Sequence, residues 1–517
     1  MKKIFTTLVA GLMISVQVMA VSVKDVCGQF RGDLNIGGDP YPDRSIYLLP
    51  GVVDNTLTFV LPDFTFGKGK LGNIVLPDIS IDANGQLSIE DATLYLDSIS
   101  ERATITIING LEDEGVVYNS VVTSENAMVL LSIAAPSLPE PIYVLFAGQA
   151  VRSNNYALNN GGFEGDWTNN EPAGWHSFGT ATGDLNDFVL DNTDQFIQST
   201  DVRPGSKGTH SAMLSSKMVL GAKANGNCTN GQINAGSTTA DDPAKNYNFS
   251  DPENTGYNTP FHGRPDSVVF WAKYLPADRN AANEVNKARV NVVITTNARY
   301  QDPEADADYS AVKIASATAN YSATDAFGWQ RIAAPFEYTA LASTLTPAFI
   351  LTTFTTNCNP GGGSSYSSGT INKVNVLDTV YLDDAELVYN KTLNGLKIDA
   401  TALSFNNHVA TVESNYCDSC ADYIAQANGV SAQSFIAFDQ THKCAFVYVI
   451  ADDYAQSGEY NLYRVDFTDS ETGGLDPIEG FENIRFGETR FEKVLMDGQL
   501  YIRSNDAWFN AAGIRVR

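Results

Sequence analysis

The sequence is poor in positive charge. It carries 33 Lys and Arg against 60 Asp and Glu, which gives a formal net charge of −27 and an isoelectric point of about 4.4. A surface this acidic repels the phosphate backbone of nucleic acids and the headgroups of anionic lipids. Nucleic acid is therefore not an expected partner, whereas neutral glycans and cations such as calcium are compatible with the charge.

The chain also lacks the short motifs of several large enzyme families. It contains no G-x-S-x-G nucleophile elbow, no Walker loop and no dinucleotide-binding fingerprint. Its histidines lack the H-x-H or H-E-x-x-H spacing that a zinc site would need. The many Asp and Glu residues guarantee carboxylate pairs by chance, so a glycoside hydrolase that uses such a pair is an alternative without a specific signal.

Long apolar runs are absent after the first twenty residues. Lys2 and Lys3 precede an apolar stretch from Ile4 to about Val18, and Val18-Met19-Ala20 ends it at a plausible cleavage point. This pattern predicts a signal peptide over residues 1–20. No later run predicts a transmembrane helix. We therefore expect export to the periplasm, the outer surface or the medium.

Cysteine is scarce, and all six cysteines follow the predicted signal: Cys27, Cys228, Cys358, Cys417, Cys420 and Cys444. An exported chain can form disulfides, and six cysteines allow fifteen pairings. The simplest expectation pairs Cys228 with Cys358, which lie in predicted loops of the central region. The C-x-x-C of Cys417 and Cys420 indicates a structural disulfide, local or rearranged with Cys444, rather than a redox site.

Helical periodicity is nearly absent as well, and short alternating runs take its place. Val, Ile, Leu, Phe and Thr alternate with polar residues, and Gly, Pro, Asn and Asp interrupt the runs. This is typical of antiparallel strands, so we predict an all-β protein. At roughly 150 residues per domain, the 517 residues indicate two to four domains.

The first predicted domain covers residues 23–150. Its segment TLTFVLPDFTFGKGKLGNIVLPDISIDANGQLSI (56–89) resembles the calycin-like β-barrel domain of secreted Bacteroidetes proteins. The resemblance implies an up-and-down barrel. Barrels of this size are filled by their own side chains or hold one small ligand, and we expect the filled form.

The second predicted domain covers residues 153–392. Three motifs, NGGFE…PAGW (160–175), GRPDSVVFWAKY (263–274) and VYLDDAELVY (380–389), together resemble the PCMD family, a carbohydrate-metabolism domain of Bacteroidetes surface proteins. The resemblance implies a jelly-roll β-sandwich related to galactose-binding and carbohydrate-binding modules.

The C-terminal part divides into two predicted segments. The strand runs of residues 393–470 resemble the Ig-like sandwich that commonly follows the previous domain. Residues 471–517 resemble the C-terminal sorting tails of secreted Bacteroidetes proteins, which implies recognition by a secretion machinery. As structure, this tail predicts a short β hairpin that turns at Asn505-Asp506.

Tryptophans supply the candidate ligand-binding residues. Sugar rings stack their C–H faces on exposed aromatic rings, and neighbouring polar groups bind the hydroxyls. In the run VVFWAKY (268–274), alternation places Trp271 and Lys273 on one face with Val269, and the apolar set on the other. We therefore expect Trp271, Lys273 and Trp329 to contact ligand. Trp167, in the loop-like GDWTNN, is the most exposed candidate.

Three carboxylates supply a candidate calcium site. Glu164 lies in the first predicted strand of the central domain, and Asp383 and Asp384 lie in the last. The ends of these strands can be neighbours in a sandwich, and calcium prefers carboxylate and carbonyl oxygens. The alternative is that these acids simply face solvent at the strand ends.

The sequence thus favours an exported, non-catalytic protein that binds glycans through its central jelly roll. Two other classes of function stay open. One is a glycoside hydrolase with an Asp/Glu pair in the central domain, and the other is a structural or adhesive surface protein without a small ligand.

Overall fold

The computed structural model describes most of the chain. The described ranges are 21–66, 69–89, 92–96, 101–113, 115–187, 193–219, 222–276, 286–305, 308–358, 378–398, 401–415, 417–418, 425–440, 442–468, 491–496, 499–504 and 507–510. The predicted signal peptide, residues 1–20, lies outside them. Two compact units are present: one combines the chain up to Ser153 with the chain from Lys391 onward, and the other spans Asn154–Asn390.

The described chain is almost entirely β, which confirms the predicted class. Its helices are short, as in α1 (Val23–Val26) and α2 (Tyr454–Ser457), each of four residues. None of the helices in the described ranges is long and apolar enough to cross a membrane.

The N-terminal region forms one large curled sheet, a half-barrel around an apolar interior. Its strands run in the order β5-β4-β3-β2-β1-β12-β11-β7-β6, with β10 paired to β11 and a separate β8–β9 hairpin. Phe30, Phe59, Phe146 and their neighbours fill the curl and are almost fully buried. The strands are β1 (Gly28–Ile36), β2 (Asp39–Pro50), β3 (Thr56–Phe66), β4 (Gly69–Ile81), β5 (Leu87–Ser88), β6 (Ala92–Leu96), β7 (Glu101–Ile107), β8 (Asn109–Asp113), β9 (Val116–Asn119), β10 (Val121–Val122), β11 (Asn126–Ala134) and β12 (Ile142–Ala150).

A Pro-Asp pair bends three consecutive strands of this sheet. In β2, β3 and β4 the pairs are Pro42-Asp43, Pro62-Asp63 and Pro77-Asp78, and each Asp has a φ near +50° to +60°. At each pair, two residues face one residue of the neighbouring strand, which defines a β-bulge. Proline is tolerated there because a bulge leaves an N–H out of the ladder. The bulges curl the sheet.

The central unit is a sandwich of two five-stranded antiparallel sheets, β15-β16-β29-β22-β26 and β19-β28-β23-β25-β27. A small sheet, β20-β21-β24, lies beside them. The sheets pack through a core that includes Trp175, Phe270, Phe354 and Leu382. The strands are β13 (Trp167–Thr168), β14 (Glu171–Pro172), β15 (Phe196–Ser199), β16 (Ser211–Ser215), β17 (Lys217–Val219), β18 (Ala222–Ala224), β19 (Asn227–Thr229), β20 (Gln232–Ala235), β21 (Asn246–Ser250), β22 (Ser267–Leu275), β23 (Ala288–Thr295), β24 (Tyr300–Asp302), β25 (Lys313–Tyr321), β26 (Gln330–Pro335), β27 (Glu337–Tyr338), β28 (Phe349–Thr355) and β29 (Thr379–Val388).

The predicted disulfide between Cys228 and Cys358 does not form, because both residues are free thiols. Cys228 lies on β19 opposite Phe354 and points into the core of the sandwich. Cys358 lies four residues after Phe354, beyond the end of β28, and is only half-buried. A disulfide requires Cα atoms within about 7 Å and side chains that face each other. The register therefore places the two thiols apart.

Two other cysteines are also free. Cys27 is half-buried and Cys444 is fully buried, and burial raises the pKa of each thiol to about 12. Cys444 is therefore not the disulfide partner that the sequence allowed. Cys420 lies outside the described residues, so the local C-x-x-C disulfide stays a prediction.

The C-terminal region adds a four-stranded sheet, β33-β37-β36-β35, to the first unit. Its strand β33 is parallel to β37, and the other pairs are antiparallel. One face packs on the outer wall of the half-barrel, where Tyr47 and Val60 meet Phe446 and Tyr448. The strands are β30 (Thr392–Gly395), β31 (Lys397–Ile398), β32 (Thr401–Ala402), β33 (Val409–Val412), β34 (Gln426–Asn428), β35 (Gln433–Asp439), β36 (Cys444–Ile450) and β37 (Asn461–Phe467). The Ig-like assignment stays a prediction.

The tail contains three strands where the sequence predicted a hairpin of two. They are β38 (Phe491–Met496), β39 (Gln499–Ser504) and β40 (Ala507–Asn510), joined in an antiparallel meander. Met496 pairs with Gln499, and Ser504 pairs with Ala507. The predicted turn at Asn505-Asp506 itself lies outside the described residues.

Candidate functional site

The candidate site lies on the outer face of the sheet β15-β16-β29-β22-β26. On β22, Val268, Phe270, Ala272 and Tyr274 are fully buried in the sandwich core. This confirms the predicted alternation and leaves Trp271 and Lys273, both half-buried, on the opposite side. The outer face therefore carries the aromatic and cationic side chains that the sequence indicated.

Neighbouring strands complete this face. Trp271 lies opposite Arg331 on β26, and Lys273 lies opposite Tyr381 on β29. Directly opposed residues of antiparallel strands project to the same side, with their Cβ atoms about 5 Å apart. Trp329, just before β26, places its ring centroid 6.4 Å from that of Tyr381. We call Trp271, Trp329 and Tyr381 the aromatic patch.

Asp201 accepts hydrogen bonds from two residues of the outer face, Lys273 and Trp329. Lys273 Nζ donates to Asp201 Oδ2 at 2.6 Å, and the indole Nε1 of Trp329 donates to Oδ1 at 3.1 Å. Lys273 Nζ also lies 5.0 Å from the ring centroid of Tyr381, in a cation–π contact. Burial alone would raise the pKa of Asp201, but the hydrogen bonds from Lys273 and Trp329 outweigh it and hold the pKa below its ordinary value. The carboxylate is thus a fixed anion beside the rings.

Arg203 holds the other side of the aromatic patch. Its guanidinium carbon lies 5.1 Å from the ring centroid of Trp271. Its backbone N–H donates to Asp383 Oδ2 at 3.0 Å, and its Nε donates to Asp384 Oδ2 at 2.6 Å. The loop that contains Arg203 thereby fixes the orientation of Trp271 and covers Asp383.

Asp383 is a buried carboxyl with an unsatisfied oxygen. It lies opposite Trp271 on the outer face, yet its exposed fraction is 0%. Its Oδ1 has no hydrogen-bond partner. Burial raises the pKa of Asp383 to about 6, and the amide of Arg203 limits the rise. The group is closed off from solvent, so it cannot reach a ligand in this conformation.

The three predicted calcium ligands lie near one another. The side chains of Glu164 and Asp384 both flank Gly162. Glu164 Oε1 accepts the backbone N–H groups of Thr209 and His210, each at 2.9 Å. These carboxylates are therefore engaged by amides and, at Asp384, by the Arg203 guanidinium.

Such an arrangement leaves few oxygens for a cation. Calcium takes six to eight oxygen ligands. Across the described ranges, no group of three or more His, Cys, Asp or Glu side chains is placed to hold a metal ion. Calcium at Glu164, Asp383 and Asp384 stays a prediction.

Trp167 lies apart from the aromatic patch. Its ring packs on Phe196 with a centroid distance of 5.0 Å, and its indole N–H donates to the carbonyl of Phe163 at 3.1 Å. Phe196 belongs to the sandwich core, and Trp167 packs against that core from its edge. The structure thus brings Trp271, Lys273 and Trp329 together and places Trp167 apart from them, at the edge of the sandwich core.

Sequence reasoning missed three residues of this site. Tyr381 could have been found, because V-Y-L-D alternates and places it on the same face as Asp383. Asp201 and Arg203 lie in an irregular loop about 70 residues from the β22 side chains that they contact, and no spacing in the sequence signals that contact.

Comparison with known proteins yields only distant structural likeness. No family model matches the chain, and no curated protein matches it. A solved structure from Bacteroides thetaiotaomicron, described as a "putative glycoside hydrolase", is 12% identical with a TM-score of 0.32, over 74% of this chain and 100% of that one. A Bacteroides fragilis "putative outer membrane protein" is 14% identical with a TM-score of 0.15, over 25% of this chain and 52% of that one. Neither likeness is close enough to carry a functional argument.

Proposed function

We propose that this protein is an exported, non-catalytic glycan-binding protein whose site is the aromatic patch of the central unit. The observation that supports the proposal is the grouping of Trp271, Trp329 and Tyr381 on one outer sheet face. Their rings offer stacking surfaces for the C–H faces of sugar rings. Asp201, Lys273 and the exposed Arg331 lie beside them, and these groups accept and donate hydrogen bonds to hydroxyls.

The patch suits binding because it is held in place before a ligand arrives. Asp201 fixes Lys273 and Trp329, and Arg203 lies over Trp271. A preorganised face loses little side-chain entropy on binding, which raises affinity for a given contact area. The strands beneath it are rigid, and their register sets the spacing of the rings.

Hydrolysis is less well supported by the same face. A glycosidase needs two carboxyl groups that flank the scissile bond. Here Asp383 is fully buried, and Asp201 and Asp384 are paired with Lys273 and Arg203. We therefore favour binding over catalysis. Export through the predicted signal peptide, and recognition of the tail by a secretion machinery, are proposed from the sequence alone.

A glycan-array screen of the full chain tests the proposal. We expect binding to one class of glycan, lost or weakened at least tenfold in Trp271→Ala and in Trp329→Ala. Leu341→Asn is a matched control, because Leu341 is an exposed apolar residue of the same unit that lies outside the patch. Its binding should equal that of the wild type.

The same array, repeated with a chelator, tests the calcium prediction. Loss of binding in chelator would support a cation at Glu164, Asp383 and Asp384. If the wild type binds no glycan with or without calcium, the glycan-binding proposal is wrong, and an adhesive or structural role becomes the better hypothesis.

A further inference from the structure

Phe327 is an exposed aromatic residue in a strained backbone conformation. Its exposed fraction is 50%, and its φ is +50°. Most described non-glycine residues with positive φ are Asn or Asp, whose short polar side chains tolerate that region. A bulky aromatic residue is an outlier there, and such strain persists only where the surrounding structure imposes it.

The loop around Phe327 imposes this conformation. The Phe327 N–H donates to the carbonyl of Thr324 at 3.0 Å, and the Gly328 N–H donates to Thr324 Oγ1 at 2.8 Å. Gln330 Nε2 donates to the carbonyl of Ser322 at 2.6 Å. Hydrogen bonds therefore hold the turn at both ends, and the Phe327 ring is exposed to solvent.

Phe163 also has a positive φ, but there the packing of its ring compensates the backbone strain. Its φ is +56°, but its exposed fraction is 0% and its ring packs on Trp175 at a centroid distance of 5.0 Å. Burial of a Phe side chain stabilises the fold by roughly 1.5–3 kcal/mol, enough to offset the backbone strain. Phe327 gains no comparable burial, so stability does not account for the strained conformation.

Phe327 lies close to the aromatic patch along the chain. Phe327 is two residues from Trp329, so their Cα atoms lie within about 7 Å of each other. The ring centroids of Trp329 and Tyr381 lie 6.4 Å apart. With Phe327 added, the aromatic surface extends over at most roughly 13 Å. A single sugar ring covers only part of that length.

We propose that Phe327 is a ligand-contact residue that extends the aromatic patch, and that the patch takes a chain of at least two sugar rings rather than a monosaccharide. This inference rests on the proposed function and adds the length of the ligand. Trp271, Trp329 and Tyr381 bind one part of the chain, and Phe327 stacks on the ring beyond Trp329.

Titration calorimetry on the full chain tests the inference. The probes are cello-, xylo- and manno-oligosaccharides of one to six units. In the series that binds, we expect affinity to rise up to at least the disaccharide. Phe327→Asn should weaken binding of the hexasaccharide roughly threefold to tenfold, the value of one aromatic contact, and should leave monosaccharide binding unchanged.

Two further variants separate a binding role from a structural one. Phe327→Tyr keeps the ring and should bind like the wild type, and Leu341→Asn removes an exposed apolar side chain elsewhere and should also bind like the wild type. Phe327→Asn relieves the backbone strain, so its melting temperature should be equal to or above that of the wild type. Weaker binding together with undiminished stability assigns Phe327 to the ligand.

The outcomes distinguish this inference from the function on which it rests. Hexasaccharide binding that is lost in Trp271→Ala but unchanged in Phe327→Asn overturns the role of Phe327 alone. Affinity that is already maximal for the monosaccharide overturns the proposed ligand length. No binding in any series, with a negative glycan array, overturns the proposed function and this inference with it.

Discussion

At the scale of single residues, Asp383 is a carboxyl beside the aromatic patch whose burial costs stability. It is a fully buried carboxyl with one unsatisfied oxygen, next to Trp271 and under Arg203. Burial without a full set of partners disfavours the ionised form. The native state therefore keeps a proton on Asp383 up to a pKa of about 6, whereas the unfolded chain releases it near the ordinary value of 3.8.

This difference predicts how stability depends on pH. Between pH 4 and pH 6 the native state binds more protons than the unfolded state, so the free energy of unfolding falls as pH rises. The shift of the Asp383 pKa from 3.8 to about 6 corresponds to at most about 3 kcal/mol. Urea unfolding at pH 4 to 8 in chelator, followed by tryptophan fluorescence, should show this fall in the wild type and not in Asp383→Asn.

The exposed Glu386 on the same strand provides the control for that experiment. Glu386→Gln should keep the slope of the wild type. Tryptophan fluorescence suits the measurement, because Trp167, Trp175, Trp271 and Trp329 all lie in the central unit. An Asp383→Asn protein whose stability falls between pH 4 and 6 as steeply as that of the wild type would show that Asp383 does not cause the slope.

Site residues could be predicted from the sequence only where they stand on a strand or directly beside one. The orientation of Trp271 and Lys273 follows from the two-residue period of β22, which is a local property. The partners Asp201 and Arg203 come from a loop, and their positions depend on how that loop crosses the sheet. Cys228 shows the opposite error: it lies on β19 with its side chain in the core, where the sequence indicated a loop.

At the scale of elements, the repeated Pro-Asp pair shapes the half-barrel. Strands β3 and β4 continue through their Pro-Asp bulges rather than ending at them. Asp78 is the best-anchored example: its Oδ1 accepts the Val53 N–H and the Thr56 hydroxyl, both at 3.3 Å. The Asp side chain thus supports the positive φ of its own bulge and the turn before β3.

Removing that side chain should destabilise the half-barrel. Asp78→Ala places an alanine at a φ of +55° and deletes two hydrogen bonds. We expect a loss of roughly 3–4 kcal/mol, since left-handed backbone costs a non-glycine residue about 1–2 kcal/mol and each of the two lost bonds about 1. Asp78→Asn tolerates the same φ and can accept the same bonds, so it should lose much less. Differential scanning calorimetry of the two variants measures the difference, and equal losses would contradict the proposed role of the side chain.

Turn chemistry explains which elements the sequence indicated correctly. Asn505-Asp506 was expected as a turn, and β39 and β40 pair on either side of it. Asp497-Gly498 was taken as part of one strand, yet Asp-Gly is among the strongest signals for a two-residue hairpin turn. The signal was present in the sequence, and β38 and β39 pair through Met496 and Gln499 on either side of it.

At the scale of the whole molecule, the order of regions along the chain does not match the order of packing. The half-barrel and the C-terminal sheet belong to one compact unit, although about 240 residues of the central unit separate them in the sequence. Alternating patterns predict strands and the all-β class because those depend on neighbours along the chain. Which sheet faces which is decided by long-range packing, and a single sequence gives no local signal for it.

This packing predicts that the half-barrel depends on the C-terminal sheet. Tyr448 is fully buried in the cluster between them, where its hydroxyl donates to the Pro50 carbonyl and contacts Thr58 Oγ1, both at 3.1 Å. Tyr448→Ala leaves a large cavity and should lose roughly 3–5 kcal/mol. Tyr448→Phe keeps the packing and loses the hydroxyl bonds, so about 1–2 kcal/mol is expected. Hydrogen exchange of β2 and β3 in the full chain measures both effects.

A chain that ends at residue 390 tests whether the half-barrel is stable without the C-terminal sheet. It lacks the whole C-terminal sheet and exposes Tyr47, Leu49 and Val60, which the cluster otherwise buries. We expect this shortened chain to bind a hydrophobic dye and to lose exchange protection in β2 and β3. The control is the full chain with Val430→Ala, a substitution at an exposed site in the C-terminal region, which should behave like the wild type. Full protection of β2 and β3 in the shortened chain would mean that the half-barrel is stable on its own. In that case the C-terminal sheet would be an independent module, as its resemblance to an Ig-like domain implies.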